Sequence, residues 1–231
     1  MMLHVQNREL VIPGQLLAEG SYLLYGGVFK EGKCVYSSVV GLAEVRGQDI
    51  RVIPLQGCYI PKRGDFVIGV VVDTHSSGWI LDLNSPYAGN LFVSGLLDRK
   101  VDLDREDISQ YLKVGDAVAA EVVDVDERMR VMLEASGPGM GKVTGGKLVE
   151  IAPTKIPRVI GKKGSMSTMI QSTSGCRLRA GQNGRIMIWG DDTRMVRAVV
   201  EALLTIEREA HTSGLTDRVH QFLERIKSGG E

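Results

Sequence analysis

The sequence predicts a mainly β protein that carries an α+β domain at its carboxyl end. Glycine is abundant, with 28 residues against 7 prolines, and aromatic residues make up only 5% of the chain. This composition favours many short strands joined by tight turns. Near the carboxyl end, Met195, Val199, Leu203 and Ile206 instead recur at three- and four-residue steps, which indicates an amphipathic helix. A length of 231 residues allows two or three small domains, each with its own core.

Residues 1–61 are predicted to form a small antiparallel β domain. Its segments VIPGQLLAEGSYLLYGGVF and KCVYSSVVGLAEVRGQDIRVIPL are rich in β-branched and aromatic residues, and PG, GG, EGK and RGQD turns interrupt them. No group of residues in this part suggests catalysis. A small sheet with exposed apolar residues more often docks on a partner than binds a ligand, so we expect a docking domain.

Residues 62–136 contain five candidate strands at the spacing of a small barrel. They lie in GDFVIGVVVDTHS, GWILDLNS, NLFVSGLL and GDAVAAEVVDVDERMRVMLEA, the last of which divides at the turn 126–128. Two copies of Gly-Asp-x-Val, at 64–67 and 115–118, each open a strand. Five such strands predict a Greek-key barrel of the OB type, whose second and third strands form a nucleic-acid-binding face.

This barrel resembles the S1 RNA-binding domain along its whole length. In that family an aromatic pair on strands two and three stacks against bases, at about 1 to 3 kcal/mol per base. The resemblance implies this role for Phe92 on strand three and for Trp79 on strand two, where Ile80 takes the position that is often Phe. Adjacent strand residues face opposite sides, so only one of Trp79 and Ile80 can point outward, and an inward Trp would be core.

The segment GPGMGKVTGGK, residues 137–147, superficially resembles a phosphate-binding P-loop. A Walker loop needs Gly, four residues, and then Gly-Lys-Ser/Thr between a strand and a helix. Here Gly137 precedes Gly141 by only four positions, and Val143 follows Lys142. We therefore interpret this segment as a linker between domains.

Residues 145–231 predict a compact α+β domain. A strand at 147–151 leads into a short helix, the sequence Gly161-Lys162-Lys163-Gly164 and a second helix near Ser165. Strands at 176–180 and 185–189 follow as a hairpin around an Asn-Gly turn. Asp191 or Asp192 then caps a long helix, and a further helix is predicted at 216–227. The order strand, helix, GxxG, helix, strand, strand, helix resembles the type I KH domain.

The GxxG loop has the composition of a phosphate site. Two glycines let a sugar-phosphate backbone approach the main chain, the helix that begins at Ser165 offers free N–H groups, and two lysines add positive charge. In the KH family this loop clamps about four nucleotides while bases lie in an apolar groove beside it. The alternative is a tight turn between two helices. The predicted RNA contacts in this domain are Lys155, Arg158, Ile160, Gly161, Lys162, Lys163, Gly164, Ser165 and Ile170.

Charge is distributed unevenly although the chain has no formal net charge, with 28 basic and 28 acidic residues. Between residues 151 and 190 there are seven Lys and Arg residues and no Asp or Glu. This asymmetry predicts a local electropositive surface, which is typical of a polyanion-binding site.

The order of a small N-terminal sheet, an S1 barrel and a KH domain indicates a protein family far more specifically than any one of these domains does. Together with VIPGQLL, GCYIPKRGDFVIGVVVD and GQNGRIMIWG, it resembles the archaeal RNA-binding cap subunits of the exosome, the ribosomal-RNA-processing protein four family. The sequence Gly181-Gln182-Asn183-Gly184 matches the structural GxNG element of that family. The resemblance implies a non-catalytic protein that guides single-stranded RNA into a phosphorolytic ring of RNase PH-type subunits. It also implies three copies per complex, docked through their N-terminal domains.

Two other classes of function remain open at this point. One is an RNA-binding factor of translation or transcription that also pairs S1 with KH. The other is a metal-dependent nuclease that would use a set of carboxylates in one short segment, namely Asp98, Asp102, Asp104, Glu106 and Asp107. These have no paired base and are expected to be solvated.

The remaining sequence features predict neither a cofactor nor a metal site. The three cysteines are far apart and only four histidines occur, so a disulfide framework and a structural zinc site are not expected. No segment approaches the roughly 18 apolar residues of a membrane span, and the N-terminus lacks the pattern of a signal peptide. We therefore expect a cytoplasmic protein without membrane association.

Overall fold

The computed structural model of the protein describes residues 2–97, 108–210, 212 and 214–229. The chain divides into two compact units, Met1–Gly57 and Cys58–Glu231. Its architecture confirms the predicted fold class, with mostly β structure followed by a mixed domain that ends in helices.

The first unit contains two four-stranded sheets around a small apolar core. The first sheet has the order β1-β3-β6-β5 and the second β2-β7-β8-β4. The bounds are β1 Met2–Leu3, β2 Leu10–Val11, β3 Leu16–Glu19, β4 Leu23–Leu24, β5 Val28–Glu31, β6 Cys34–Ser37, β7 Gly41–Arg46 and β8 Asp49–Pro54. Leu17, Val35 and Ile50 are fully buried at its centre. The predicted GG turn needs a glycine, since Gly27 has φ +80° and a Cβ there would lie 2.5 Å from the carbonyl oxygen of Val52.

The second unit begins with the predicted five-stranded barrel. Its strands are β9 Phe66–His75, β10 Gly78–Asp82, β11 Gly89–Phe92, β12 Ala117–Val125 and β13 Val131–Glu134, with the short helix α1 Val93–Leu96 after β11. The order β13-β11-β10-β9-β12 closes because β13 pairs with both β11 and β12. Closure removes the free sheet edges and leaves an apolar interior.

The segment predicted to be a linker is partly a strand. Residues Gly141–Val143 form β14, which pairs antiparallel with Ala117–Ala119 of β12. The prediction missed this strand because three residues that begin with a glycine give no period-2 pattern. This sixth strand places the start of the KH domain beside the barrel.

The KH domain has the predicted order of elements. A sheet in the order β15-β17-β16 carries its helices on one face. The bounds are β15 Lys147–Glu150, α2 Ile156–Ile160, α3 Ser165–Ser174, β16 Arg177–Ala180, β17 Arg185–Trp189, α4 Thr193–Glu209 and α5 Leu215–Lys227. Asp192 caps α4, where its carboxylate accepts a hydrogen bond from the backbone N–H of Arg194 at 2.8 Å. The predicted domain limits at 62–136 and 145–231 stay predictions, because the barrel and this domain belong to one compact unit.

Helix α5 belongs to the KH core. Its buried face, formed by Leu215, Val219 and Leu223, packs with α3 and α4. The sequence alone left open whether this helix packs on its own domain or on a neighbouring subunit. Among the residues that the structure describes, no helix is long and apolar enough to cross a membrane.

Candidate nucleic-acid interface

The GxxG loop joins α2 to α3 through one turn of 3-10 helix, Lys162–Gly164. Gly161 has φ +77° and ψ 175°, and Gly164 has φ +81° and ψ 7°. A Cβ on Gly161 would lie 2.7 Å from the backbone nitrogen of Met166, whereas a Cβ on Gly164 would meet no atom closer than 3.8 Å. Gly161 is therefore required for the turn itself, and Gly164 leaves open space in front of α3.

Both lysines of the loop are exposed, and no ion pair involves them in the described part of the chain. Lys163 adopts a left-handed conformation, with φ 54° and ψ 31°, which is uncommon for a residue with a side chain. Gly164, which precedes α3, gives the helix no side-chain cap. The N–H groups of Gly164 and Ser165 donate to the carbonyl oxygens of Gly161 and Lys162, respectively. The exposed lysines and the positive end of the α3 dipole nevertheless lie at the same helix end, an arrangement suited to an anion.

The other predicted contacts of the KH domain differ in their surroundings. Ile160, at the end of α2, is 38% exposed and can form an apolar wall beside the loop. Ile170 is fully buried among the helices, so its predicted role as a groove wall is wrong.

The predicted polar contacts differ in exposure: Lys155 is half-buried and Ser165 is exposed. Arg158 is half-buried, and its Nη2 donates to the carbonyl oxygen of Thr212 at 3.1 Å, so its contact with RNA stays a prediction.

On the barrel, the predicted stacking role of Trp79 is wrong. Its side chain is fully buried in the barrel core, and Nε1 donates a hydrogen bond to the carbonyl oxygen of Leu112 at 3.2 Å. Ile80 therefore takes the outward position on β10, where it is half-buried. A base cannot reach the ring of Trp79 without opening the barrel.

Phe92 lies on the outside of the barrel and is half-buried, and its role in stacking against bases stays a prediction. Its ring contacts His75 edge to face, with 5.7 Å between centroids and an interplanar angle of 74°. The pair forms because Gly78 lies between them, opposite His75 on one side and Phe92 on the other. A glycine has no side chain to separate the two rings. His75 was not predicted from the sequence, although a His at the end of strand one across from a glycine could have indicated it.

The GxNG element is buried against the barrel rather than exposed to a ligand. The side chain of Asn183 is fully buried, and its Oδ1 accepts a hydrogen bond from the backbone N–H of Ile68 at 3.2 Å. Its Nδ2 donates to the carbonyl oxygens of Ile68 at 2.8 Å and of Leu83 at 3.0 Å. Asn183 therefore joins the KH hairpin to barrel strand β9 and to the residue that follows β10.

Arg185 reinforces the same junction. Its guanidinium is buried and pairs with the carboxylates of Asp82 on the barrel and Glu150 on β15. Its Nη1 also donates to the carbonyl oxygen of Asp82 at 2.6 Å. Arg185 was counted among the seven basic residues of the predicted electropositive surface, but the structure removes it from that surface.

A closed OB-type barrel joined to a type I KH domain with an intact GxxG loop defines the class of S1–KH proteins. Family models match in the same order along the chain. Residues 8–56 match the N-terminal domain of the exosome RNA binding protein RRP4, residues 58–124 match the RRP4 S1 domain, and residues 147–205 match the KH domain.

The chain belongs to the Rrp4 family. It is 45% identical to the exosome complex component Rrp4 of Pyrococcus furiosus over 95% of this chain and 84% of that protein. It is also 45% identical to the Rrp4 of Methanothermus fervidus, over 97% and 99% of the two chains. The crystal structure of a protein assigned as an exosome complex RNA-binding protein superposes with a TM-score of 0.71 at 37% identity. That superposition covers 74% of this chain and 98% of the other.

Proposed function

We propose that this protein is a non-catalytic, RNA-binding cap subunit of an exosome. In this role it holds single-stranded RNA and guides it into a phosphorolytic ring of RNase PH-type subunits for 3'-to-5' degradation or processing. Family membership supports the assembly, and the geometry of the GxxG loop is the observation that carries RNA binding. Three copies per ring and a cytoplasmic location are part of the proposal.

The GxxG loop is suited to hold phosphates without reading sequence. Its two lysines are exposed, its second glycine faces open space, and α3 begins without a side-chain cap. Lysine acts on phosphate as a point charge, and N–H groups at a helix start bind any phosphate equally well. Binding should therefore depend strongly on salt and weakly on base identity.

Replacing both loop lysines, as Lys162→Asp/Lys163→Asp, is expected to weaken binding to single-stranded RNA of any sequence. The slope of log affinity against log salt should flatten by about 0.7 for each phosphate that the variant no longer binds. Fluorescence anisotropy titration of labelled oligonucleotides at several salt concentrations measures both quantities. The fold should persist, because both side chains point into solvent.

The matched control is Arg197→Asp/Lys227→Asp, which makes the same charge change at exposed positions of α4 and α5. It should leave the affinity and the slope close to those of the unaltered protein. If the loop variant matched this control in both quantities, the loop would be only a turn, and the barrel would remain as the RNA site.

Ring docking is assigned to the first unit because of its exposed apolar surface. Of the fourteen large hydrophobic side chains exposed in the described residues, nine lie in this unit of 57 residues. They are Met2, Leu3, Leu10, Ile12, Leu23, Tyr25, Phe29, Val40 and Ile53. Exposed apolar surface concentrated in so small a unit is typical of a protein–protein contact.

The test is reconstitution with purified RNase PH-type ring subunits, measured by native mass spectrometry and by phosphorolysis of labelled RNA. The chain should bind the ring in three copies and increase its degradation of RNA, while the chain alone with Mg²⁺ and phosphate should leave RNA intact. Leu10→Glu/Ile12→Glu should reduce ring binding at least about tenfold, because charges in an apolar contact remain desolvated and unpaired.

The control for this variant is Val114→Glu/Leu204→Glu, which places the same charges at exposed apolar positions of the second unit. Equal ring binding by both variants would contradict docking through the first unit. Steady RNA shortening by the purified chain alone would contradict a non-catalytic role. The carboxylates considered for a nuclease, Asp98, Asp102, Asp104, Glu106 and Asp107, lie outside the described residues.

A further inference from the structure

A groove of about 380 Å³ lies between the barrel and the sheet of the KH domain. One wall is the segment 139–144, which contains β14, and the other is formed by Arg177, Arg179, Met187 and Trp189. We call it the junction groove. Its volume is within the range of pockets that hold small ligands. None of its lining residues in the described part of the chain is Asp or Glu.

Strand alternation explains why these side chains face the groove. Leu178 and Ala180 on β16, and Ile186 and Ile188 on β17, pack against the helices of the KH domain. The residues between them must face the opposite side of the sheet. In the hairpin register Arg177 lies opposite Trp189, and Arg179 lies opposite Met187. The groove and the GxxG loop are therefore on opposite faces of the sheet.

The two arginines of the groove carry charge that the protein does not neutralise. Arg185, on the same face, pairs with two carboxylates, whereas no ion pair involves Arg177 or Arg179 among the described residues. Partial burial, together with the charge of Arg177, lowers the pKa of Arg179. The third basic residue, Lys142, pairs with Asp116 at 2.6 Å. Two guanidinium groups held near each other without an acid favour an anionic ligand.

Aromatic rings hold both guanidinium groups in place. The guanidinium carbon of Arg177 lies 4.5 Å from the centre of the Trp189 ring, and that of Arg179 lies 4.2 Å from the centre of the Phe66 ring. Trp189 is itself fixed, because its Nε1 donates to the carbonyl oxygen of Thr144 at 3.1 Å. Stacking uses the face of a guanidinium and leaves N–H groups at its edge. Arg179 uses Nη1 for the carbonyl oxygen of Gly139, so its remaining N–H groups are available.

We propose that the junction groove is a second RNA site, which binds one nucleotide of a single-stranded RNA held by the KH domain. The guanidinium edges of Arg177 and Arg179 donate to the phosphate, since a planar fork matches phosphate oxygens. The sugar and base lie against the apolar part of the wall, which includes Met187 and Val143. Pre-ordered arginines lose little side-chain entropy when the ligand binds.

This inference rests on the proposed function, because an RNA already held at the GxxG loop raises the local concentration of its own nucleotides at the groove. Two weak sites joined by one flexible chain bind more tightly than either alone. Because the sites lie on opposite faces of one sheet, only an RNA long enough to pass around its edge can use both. The contribution of the groove should therefore grow with RNA length.

The experiment compares Arg177→Ala/Arg179→Ala with the control Arg197→Ala/Lys227→Ala, which removes two charges from exposed helix positions. The probe is a labelled single-stranded RNA of about 20 nucleotides, long relative to the roughly four nucleotides of a KH site. The groove variant should bind about tenfold more weakly, as expected when a charge-assisted hydrogen bond to phosphate is removed, while the control should not. Thermal denaturation should show that both variants are folded. A 4-thiouridine RNA should also cross-link to peptides that contain 139–144 or 187–189.

Three results would separate this inference from the proposed function. If Lys162→Asp/Lys163→Asp weakened binding while the groove variant did not, the groove site would be wrong and RNA binding by the loop would stand. If the unaltered protein bound no RNA, both would be wrong. If adenosine monophosphate bound the groove and the variant lost that binding without losing RNA affinity, the ligand would be a free nucleotide, and the RNA assignment would be overturned.

Discussion

Replacing Asn183 with alanine is expected to lower the free energy of unfolding of the second unit by about 3 to 5 kcal/mol. The amide of Asn183 is fully buried and makes three hydrogen bonds, all to the backbone of barrel strand β9 or of the segment after β10. Alanine would leave the N–H of Ile68 and the carbonyl oxygen of Leu83 without these partners, and the carbonyl oxygen of Ile68 would keep only the long contact with Nη1 of Arg185 at 3.4 Å. Each unpaired buried group costs about 1 to 3 kcal/mol. Because the surrounding atoms partly relax, the expected total loss of stability is smaller than the sum of the largest values.

Urea denaturation followed by circular dichroism measures this decrease. Gln182→Ala is the matched control, since the side chain of Gln182 is exposed. Its backbone N–H donates to the carbonyl oxygen of Phe66 at 2.9 Å, and the substitution leaves this bond unchanged. The control should stay within about 0.5 kcal/mol of the unaltered protein. Asn183→Asp should be at least as harmful as alanine, because it removes both donors and buries a charge. Small effects of both Asn183 changes would contradict a major contribution of this amide to the stability of the junction.

The order of elements could be predicted from the sequence because its signals are local. The two Gly-Asp-x-Val segments illustrate this. Gly64 and Gly115 have φ +87° and +93°, and the carboxylates of Asp65 and Asp116 accept hydrogen bonds from the backbone N–H groups of Lys62 and Lys113, respectively. Each segment thus specifies a turn and the start of a strand within a few residues. The GxxG loop was predictable for the same reason, since its glycines, lysines and following helix are contiguous.

The roles of other site residues depend on partners far along the chain. Trp79 and Ile80 are adjacent apolar residues, so the sequence alone does not show which of them points inward. The inward position of Trp79 depends on Leu112, 33 residues away, whose carbonyl oxygen accepts the indole hydrogen bond. Arg185 appears in the sequence as one more cation in a basic region. Its actual partner Asp82 lies 103 residues earlier, so the charge is neutralised inside the junction. Charge counted along a segment therefore overestimates the charge on the surface.

Trp79→Ala is the second change for which we expect a large effect, a decrease of about 3 to 5 kcal/mol in the free energy of unfolding. The indole is the largest fully buried side chain in the described residues, and its removal leaves a cavity between β10 and the segment that contains Leu112. It also leaves the carbonyl oxygen of Leu112 without its donor. Urea denaturation monitored by circular dichroism measures the effect, and Trp79→Phe should be milder because it keeps most of the ring volume.

The comparison with Phe92→Ala distinguishes a core residue from a stacking residue. Phe92 is half-buried and contacts His75 on the outer surface, so its removal should reduce RNA affinity by about 1 to 3 kcal/mol with a smaller effect on stability. Trp79→Phe should behave in the opposite way, with lower stability and unchanged RNA affinity when measured well below the unfolding transition. If Trp79→Phe weakened RNA binding in fully folded protein as much as Phe92→Ala did, the indole would have to be accessible to a base. That result would contradict the closed barrel core. If Phe92→Ala weakened RNA binding and Trp79→Phe lowered only the stability, the RNA-binding surface of the barrel would be the side formed by Phe92, His75 and Ile80.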